Sequence, residues 1–338
     1  MKKMILGIPV LLMTACELPF DLREVADKDM IKLCCEVHSG DTTVVDIDVL
    51  VPVGDYQRTP SDLEIVVMTV DGNEVGLSVA SENEPNLELG TLYVVEEFES
   101  GSEICIKASA GGADPIEAST TVPLSLEGSR IDMELTDMVG TQIYGEEIRN
   151  IVRAKLVVPE VVEDAKIGIQ YIVKCETDSC GVALPVSTFG QAVYDVADFS
   201  SDDSLVSNAD FLHLQRIGES NRYVWKGTDE YEFIFYHPVD YSDEWVDEQG
   251  NTVVWNSKYS FKFRIFAFSD EYYRYHSRAT NEFFELGMAS PSYTYTNVKG
   301  GTGFLGAVNV IDTPWMNERI FEGNDTVSIL VGDRASLL

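Results

Sequence analysis

Apolar side chains recur at every second position in several stretches of this chain. In MIKLCCEV, Ile31, Leu33, Cys35 and Val37 share one face, and Lys32, Cys34 and Glu36 share the other. VDIDVLVPV sets Val45, Ile47, Val49 and Val51 against Asp46, Asp48 and Leu50. EICIKA sets Ile104, Ile106 and Ala108 against Glu103, Cys105 and Lys107. A period of two belongs to a strand with one buried face, and it excludes an amphipathic helix over these residues. The fold class that follows is mainly β.

Turn chemistry divides the pattern into short strands. Asp71-Gly72 separates two β-rich runs, as a tight hairpin requires. TLYVVEEF, EICIKASA and IEASTTVP are further strands, spaced by Gly, Ser and Pro. Several short strands within residues 30–125 predict an immunoglobulin-like β-sandwich. The stretch LSLEGSRI, 124–131, reads as a boundary. Beyond it, RNIVRAKLVVPE, KIGIQYIVKC, YEFIFYHPV and TVVWNSKYSFKFRIFAF predict a larger β-rich domain over 126–338. Val253, Trp255, Tyr259, Phe261, Phe263, Ile265 and Phe266 supply much of its core. One segment has helical features. Ser269 is a good N-cap, Asp270 and Glu271 suit the first turn, and Pro291 ends the run, so a helix is expected near 270–288. The tail from about 323 is weakly patterned.

The first sixteen residues, MKKMILGIPVLLMTAC, are a different kind of signal. Two lysines precede an apolar run too short to span a bilayer, and small residues lead directly to Cys16. This reads as a lipoprotein signal peptide over residues 1–15, with Cys16 acylated as the new N-terminus. Residues 16–29 are then a polar tether. Loss of Lys2 and Lys3 would take the formal net charge from −33 to −35. So acidic a body repels phosphate backbones, which excludes nucleic acid as a partner. It also leaves membrane attachment to the lipid rather than to a basic patch. The acidity itself reads as solubility of a crowded surface protein, with a cationic ligand as the sharper alternative.

Six cysteines are present. With Cys16 acylated, five remain in an oxidising compartment. Cys175 and Cys180 flank a polar tetrapeptide and are expected to bridge across its base. Strand phase puts Cys34 and Cys105 on equivalent outer faces, so they are expected to pair if their strands are neighbours, leaving Cys35 buried. No Cys-x-x-Cys or nearby His suggests a metal, and none is expected. Nor is there a nucleophile elbow or zinc helix, and His38, His213, His237 and His276 have no motif partners. The expectation is a protein that is not an enzyme and needs no cofactor. NVKGGTGFLG, 297–306, lacks the Gly-Lys-Ser/Thr end of a phosphate loop and no helix signal follows, so its glycines are expected to serve backbone packing. The acidic stretch DYSDEWVDEQGN and the 195–210 cluster lack an EF-hand spacing and read as solvated loops. Trp245 and Tyr241 are the first candidates for ligand contact, with packing across a hairpin as the alternative.

Three segments together carry a family resemblance: Cys16-Glu17, the strand IEASTTVP, and FSDEYYRYHSRATNEFF followed by SPSYTYTNVKGGTGFLGA. They resemble a family of Bacteroidota lipoproteins catalogued as domain of unknown function 4249. There a Tyr-rich helix precedes an Asn-x-x-Gly-Gly-x-Gly-hydrophobic-hydrophobic-Gly segment, matched here by Asn297, Gly300, Gly301, Gly303, Phe304 and Gly306. The resemblance implies an outer-membrane lipoprotein, commonly encoded beside a TonB-dependent receptor, with no enzyme activity and no agreed ligand. It supports an accessory or ligand-capture partner of such a receptor, with the cell-surface side favoured over the periplasmic one. The alternative is a structural or adhesive, pilus-like surface lipoprotein.

Overall fold

The computed structural model describes residues 28–52, 59–82, 86–142, 146–159, 165–179, 182–183, 199–200, 223–226, 230–246, 250–276, 295–323 and 326–332. The first part of the chain forms β1 (Met30–His38), β2 (Thr42–Leu50), β3 (Leu63–Val70), β4 (Asn73–Val75), β5 (Ser78–Val79), β6 (Leu92–Val95), β7 (Glu103–Ala110) and β8 (Ile116–Thr121). The remainder forms β9 (Arg130–Gln142), β10 (Glu146–Val157), β11 (Lys166–Ser179), β12 (Val182–Ala183), β13 (Phe199–Ser200) and β14 (Tyr223–Lys226). It continues with β15 (Glu230–Pro238), β16 (Tyr241–Val246), β17 (Thr252–Phe268), β18 (Thr302–Asp312) and β19 (Thr326–Leu330). Residues 270–276 are helical.

The strand phases read from sequence are those of the structure. Along β1, intermediate and buried positions alternate without a break, and Ile31, Leu33, Cys35 and Val37 are the buried set. In β7 the buried set is Ile104, Ile106, Ala108 and Ala110. Asp71 and Gly72 both have positive φ, 48° and 81°, in the two-residue turn joining β3 to β4. That backbone twist suits a tight hairpin.

Among the described residues the strands form three sheets. The largest runs β12-β11-β17-β18-β1-β2-β6-β5, with β14 beside β11 and β16 beside β17. A second runs β13-β15-β10-β9-β19, and a third β4-β3-β7-β8. The third sheet covers one half of the large sheet over a core of Ile31, Leu33, Val45, Met68, Ile104 and Ile106, among others. The second covers the other half, over Ile131, Val152, Leu156, Ile167, Phe233, Phe235, Phe261 and Phe263. Two sandwiches are therefore fused through one continuous sheet.

The fusion changes the expected domain map. The two cores do divide near residues 122–126. However, β18 returns from late in the chain to complete the first sandwich. It lies parallel to β1 from Lys32↔Thr302 to His38↔Val308, then antiparallel to β17 from Phe268↔Val308 to Arg264↔Asp312. Val298, Leu305 and Ala307 belong to the first core. A boundary at 125/126 thus cuts the connection but not the sheet. Within the tail, Thr326–Leu330 are more regular than the pattern suggested, since they form β19 and pair with β9.

Candidate functional site

Where the sandwiches meet, the surface opens into a crevice of about 580 Å³. Besides Ser100 and Gly101 before β7 and Ala165 before β11, three parts of the chain form it. Thr121 ends β8, and Val122–Ser125 carry the chain across. Ala267 and Phe268 end β17 opposite Lys166 of β11. Ser269, Asp270 and Glu271 open the helix.

Ser269 fixes this geometry. Its hydroxyl accepts from Tyr272 N at 3.2 Å and from Ala307 N at 3.0 Å, and it bonds the Thr120 hydroxyl at 3.0 Å. Its own N–H donates to Ala307 O at 2.9 Å. One side chain thus caps the helix and ties it to β18 and β8, strands of two different sheets. The N-cap preference for Ser follows from such orphan helix N–H groups. Asn309 adds a second tie, donating through Nδ2 to Pro123 O and Leu124 O at 2.9 and 3.0 Å.

The crevice has an apolar floor and a charged rim. Val122, Leu124, Ala267 and Phe268 supply the floor. Lys166 Nζ donates to Asp270 at 2.7 Å and lies 5.3 Å from the Tyr273 ring centre. Glu271 accepts from the Thr120 hydroxyl at 2.9 Å. Arg274 pairs with Asp270 from the next helical turn, at 2.6 Å. The lining contains neither His nor Cys. A concave, largely apolar site with a few fixed polar groups suits binding and orientation of a small molecule.

The glycine segment beneath the helix packs two backbones together. Gly303 has φ of 99°, and a Cβ there would stand 1.9 Å from Leu33 O on the neighbouring β1. At Gly306 a Cβ would stand 2.8 Å from Tyr272 Cα, so the helix sits directly on β18. Asn297 holds the segment in place. Its Oδ1 accepts from Leu305 N at 3.0 Å and its Nδ2 donates to Leu305 O and Ser119 O at 2.8 and 2.9 Å. The spacing of Asn297 to the glycines is therefore a packing requirement.

The structure brings two of the four histidines together. His276 Nε2 lies 3.1 Å from Glu36 Oε1, and His38 Nε2 lies 3.9 Å from Glu36 Oε2. Tyr275 stacks on Phe304 beside them, at 3.8 Å between ring centres. Burial, with Cys34 and Glu36 nearby, pushes the Tyr275 hydroxyl up. His237 is separate, buried in the second core against Phe261, with Nδ1 bonded to the Tyr171 hydroxyl at 2.8 Å. Burial lowers its pKa to about 3. His213 lies outside the described residues. Among the described residues, no group of three or more His, Cys, Asp and Glu is placed to hold a metal ion.

The cysteine and loop expectations need correcting in part. Cys34 and Cys105 do not bridge, and both are free thiols, as is Cys35. Their equal phase was real, but β1 and β7 belong to different sheets, so the two outer faces point away from each other. Cys34 packs beside the helix cluster, whereas Cys105 Sγ lies 3.9 Å from Glu117 on the far face. Burial pushes the Cys35 thiol far above its usual range, so it is inert. Cys16 and Cys180 lie outside the described residues, and the Cys175–Cys180 bridge with them. Tyr241 and Trp245 stand in a regular hairpin strand rather than a loop. Tyr241 is opposite Ser257 and Trp245 opposite Val253. Asp240 accepts from Tyr259 N at 2.7 Å, which gives that acid a local structural task. The strand assignment places both aromatics at the far end of β17 from the crevice. Sequence reading missed the crevice because Val122, Lys166 and Glu271 meet only through long-range pairing; the Ser269 cap was its one local signal.

The family model described as domain of unknown function (DUF4249) matches residues 17–313. No curated protein and no solved structure matches the chain.

Proposed function

The chain belongs to the DUF4249 family, and from that premise we propose that it is a non-enzymatic outer-membrane lipoprotein serving a TonB-dependent transporter. In this reading Cys16 carries the lipid, and the protein captures a small ligand for the transporter or covers its mouth. The observation that carries the proposal is the crevice between the sandwiches. It is rimmed by Lys166, Asp270 and Glu271 and floored by Val122, Leu124 and Phe268. Such a junction is a common place for ligand capture. The adhesive alternative would be favoured by an unpaired strand able to join another subunit. Here β1 is paired on both edges, by β2 and β18, and β19 is paired with β9.

The test has two arms. Affinity purification from native membranes should recover a large barrel protein, and recovery of pilus-type subunits alone would overturn the proposal. Thr121 lines the crevice and is exposed. A Thr121→Trp variant should fill part of the crevice and reduce ligand uptake at least several-fold, with little change in melting temperature. If it leaves uptake intact while Trp245→Ala with Tyr241→Ala abolishes it, the binding surface is the distal hairpin instead.

A further inference from the structure

The path of the strands fixes at which end of the molecule the chain enters the fold. The chain joins the fold at Asp29, which is 4% exposed. Its carboxylate accepts from the Ser61 hydroxyl at 3.0 Å, and its backbone bridges Ala113 in parallel. Lys28 pairs with Asp114 at the same end, at 3.4 Å. The root of the tether is therefore clasped by the 61 and 112–114 turns.

Strands β1, β18 and β8 lead away from this end, and β2 and β7 return to it. β1 runs from Met30 at the root to His38 at the junction, and β18 runs beside it in the same direction. β8 runs likewise, from Ile116 to Thr121 at the crevice. At Val308, β18 changes partner from β1 to β17, and β17 then extends outward from Phe268 to Thr252. At about 3.3 Å per residue, nine residues of β1 span about 30 Å and seventeen of β17 about 55 Å. The root and the β16–β17 hairpin are thus at opposite ends of a long body.

We propose that the end formed by Asp29, Ser61 and Gly112–Asp114 faces the lipid bilayer, and that the crevice and the β16–β17 hairpin are held successively farther from it. The proposal rests on acylation of Cys16. From Cys16 to Lys28 is thirteen residues, a reach of at most about 45 Å. The net charge of −33 disfavours lying flat on an anionic surface. A transporter in the same membrane would meet the first sandwich before the second.

Energy transfer from single positions to the bilayer tests this. The acylated full-length protein is placed on phosphatidylethanolamine–phosphatidylglycerol vesicles carrying a headgroup acceptor dye. The donor is attached through a clickable residue at Asp114, Glu99 or Thr252, leaving the cysteines untouched. All three positions are exposed, at the root, the junction and the distal hairpin. Transfer should be greatest at 114, lower at 99 and at least about threefold lower at 252, as the strand lengths require. Vesicle flotation is measured on the same samples, with Cys16→Ala as the unanchored control. Flotation with equal transfer at all positions, or with the greatest transfer at 252, overturns the orientation alone. Failure of the acylatable protein to float overturns the lipid-anchor reading and the orientation with it.

Discussion

Gly303 is the position where a single methyl group would do most harm. Its backbone is left-handed, and the space for a Cβ is occupied by the Leu33 carbonyl at 1.9 Å. Gly303→Ala should therefore cost at least about 3 kcal/mol, by chemical denaturation, because backbone strain and a backbone clash act together. Gly76→Ala is the control: nothing lies within 4 Å of its Cβ position, and its φ is not in the left-handed region. It should change stability little. His237 makes a prediction of another kind. Its folded pKa is about 3, against 6.5 for the free group, because the ring is desolvated. Between these values the unfolded chain binds a proton that the native protein does not. Stability should fall as pH drops from about 6.5 toward 3, with this site contributing up to several kcal/mol. In His237→Phe that contribution disappears, so the loss of melting temperature between pH 7 and pH 4 should shrink. At pH 7 the same variant should be less stable by about 1–2 kcal/mol, since the buried hydrogen bond between the Tyr171 hydroxyl and His237 Nδ1 is lost. An unchanged pH slope would show that His237 is not buried as described.

At the scale of elements, local chemistry was legible and partnership was not. The alternation in β1, β2 and β7 told which side chains face inward, because pleating ties orientation to sequence position alone. Asp71-Gly72 and Ser269 were legible for a similar reason, since turns and caps are closed by residues a few positions apart. Cys34 and Cys105 show the limit. Their phases were right, yet no local rule tells which of two sheets a strand joins. The crevice was hidden for the same reason, being assembled from β8, β11, β17 and the helix. Ser269 is the element-scale test of that assembly. Its hydroxyl serves Tyr272 N, Ala307 N and Thr120 at once, and the residue is buried. Ser269→Ala should cost about 2–4 kcal/mol, more than a solvent-exposed cap, because Ala307 N loses a partner in the interior. Urea unfolding measures the loss, and a cost below about 1 kcal/mol would mean the cap is dispensable.

For the whole molecule, the decisive strand is β18. Its first half closes the core of the first sandwich and its second half extends the sheet of the other, so neither unit is complete without it. The apolar run of TGFLGAVNVID, with Phe304-Leu305, Ala307-Val308 and Val310-Ile311 in adjacent pairs, reads as a strand buried on both faces but not as one that crosses between units, and its parallel pairing with β1 spans some 270 residues of sequence. This predicts the behaviour of fragments. Residues 28–125 contain eight strands of a sandwich, yet without β18 they leave β1 as a bare edge. Leu305, Ala307 and Val298 would also be missing from the core. Burial of a Leu or Val side chain contributes about 1.5–3 kcal/mol and a single carbon such as the Ala307 methyl about 0.8 kcal/mol, so losing these three groups removes much of a small domain's margin. The fragment should therefore lack a cooperative thermal transition. The same fragment with residues 296–309 appended through a flexible linker should recover one, because β18 can then lie along β1 and Asn297 can again hold Leu305. Changing Gly303 to Ala in the appended segment should abolish the rescue, since the clash with Leu33 O recurs. Calorimetry on the three proteins decides it. A cooperative transition in residues 28–125 alone would mean that the first sandwich is an independent domain and that β18 is an accessory to it.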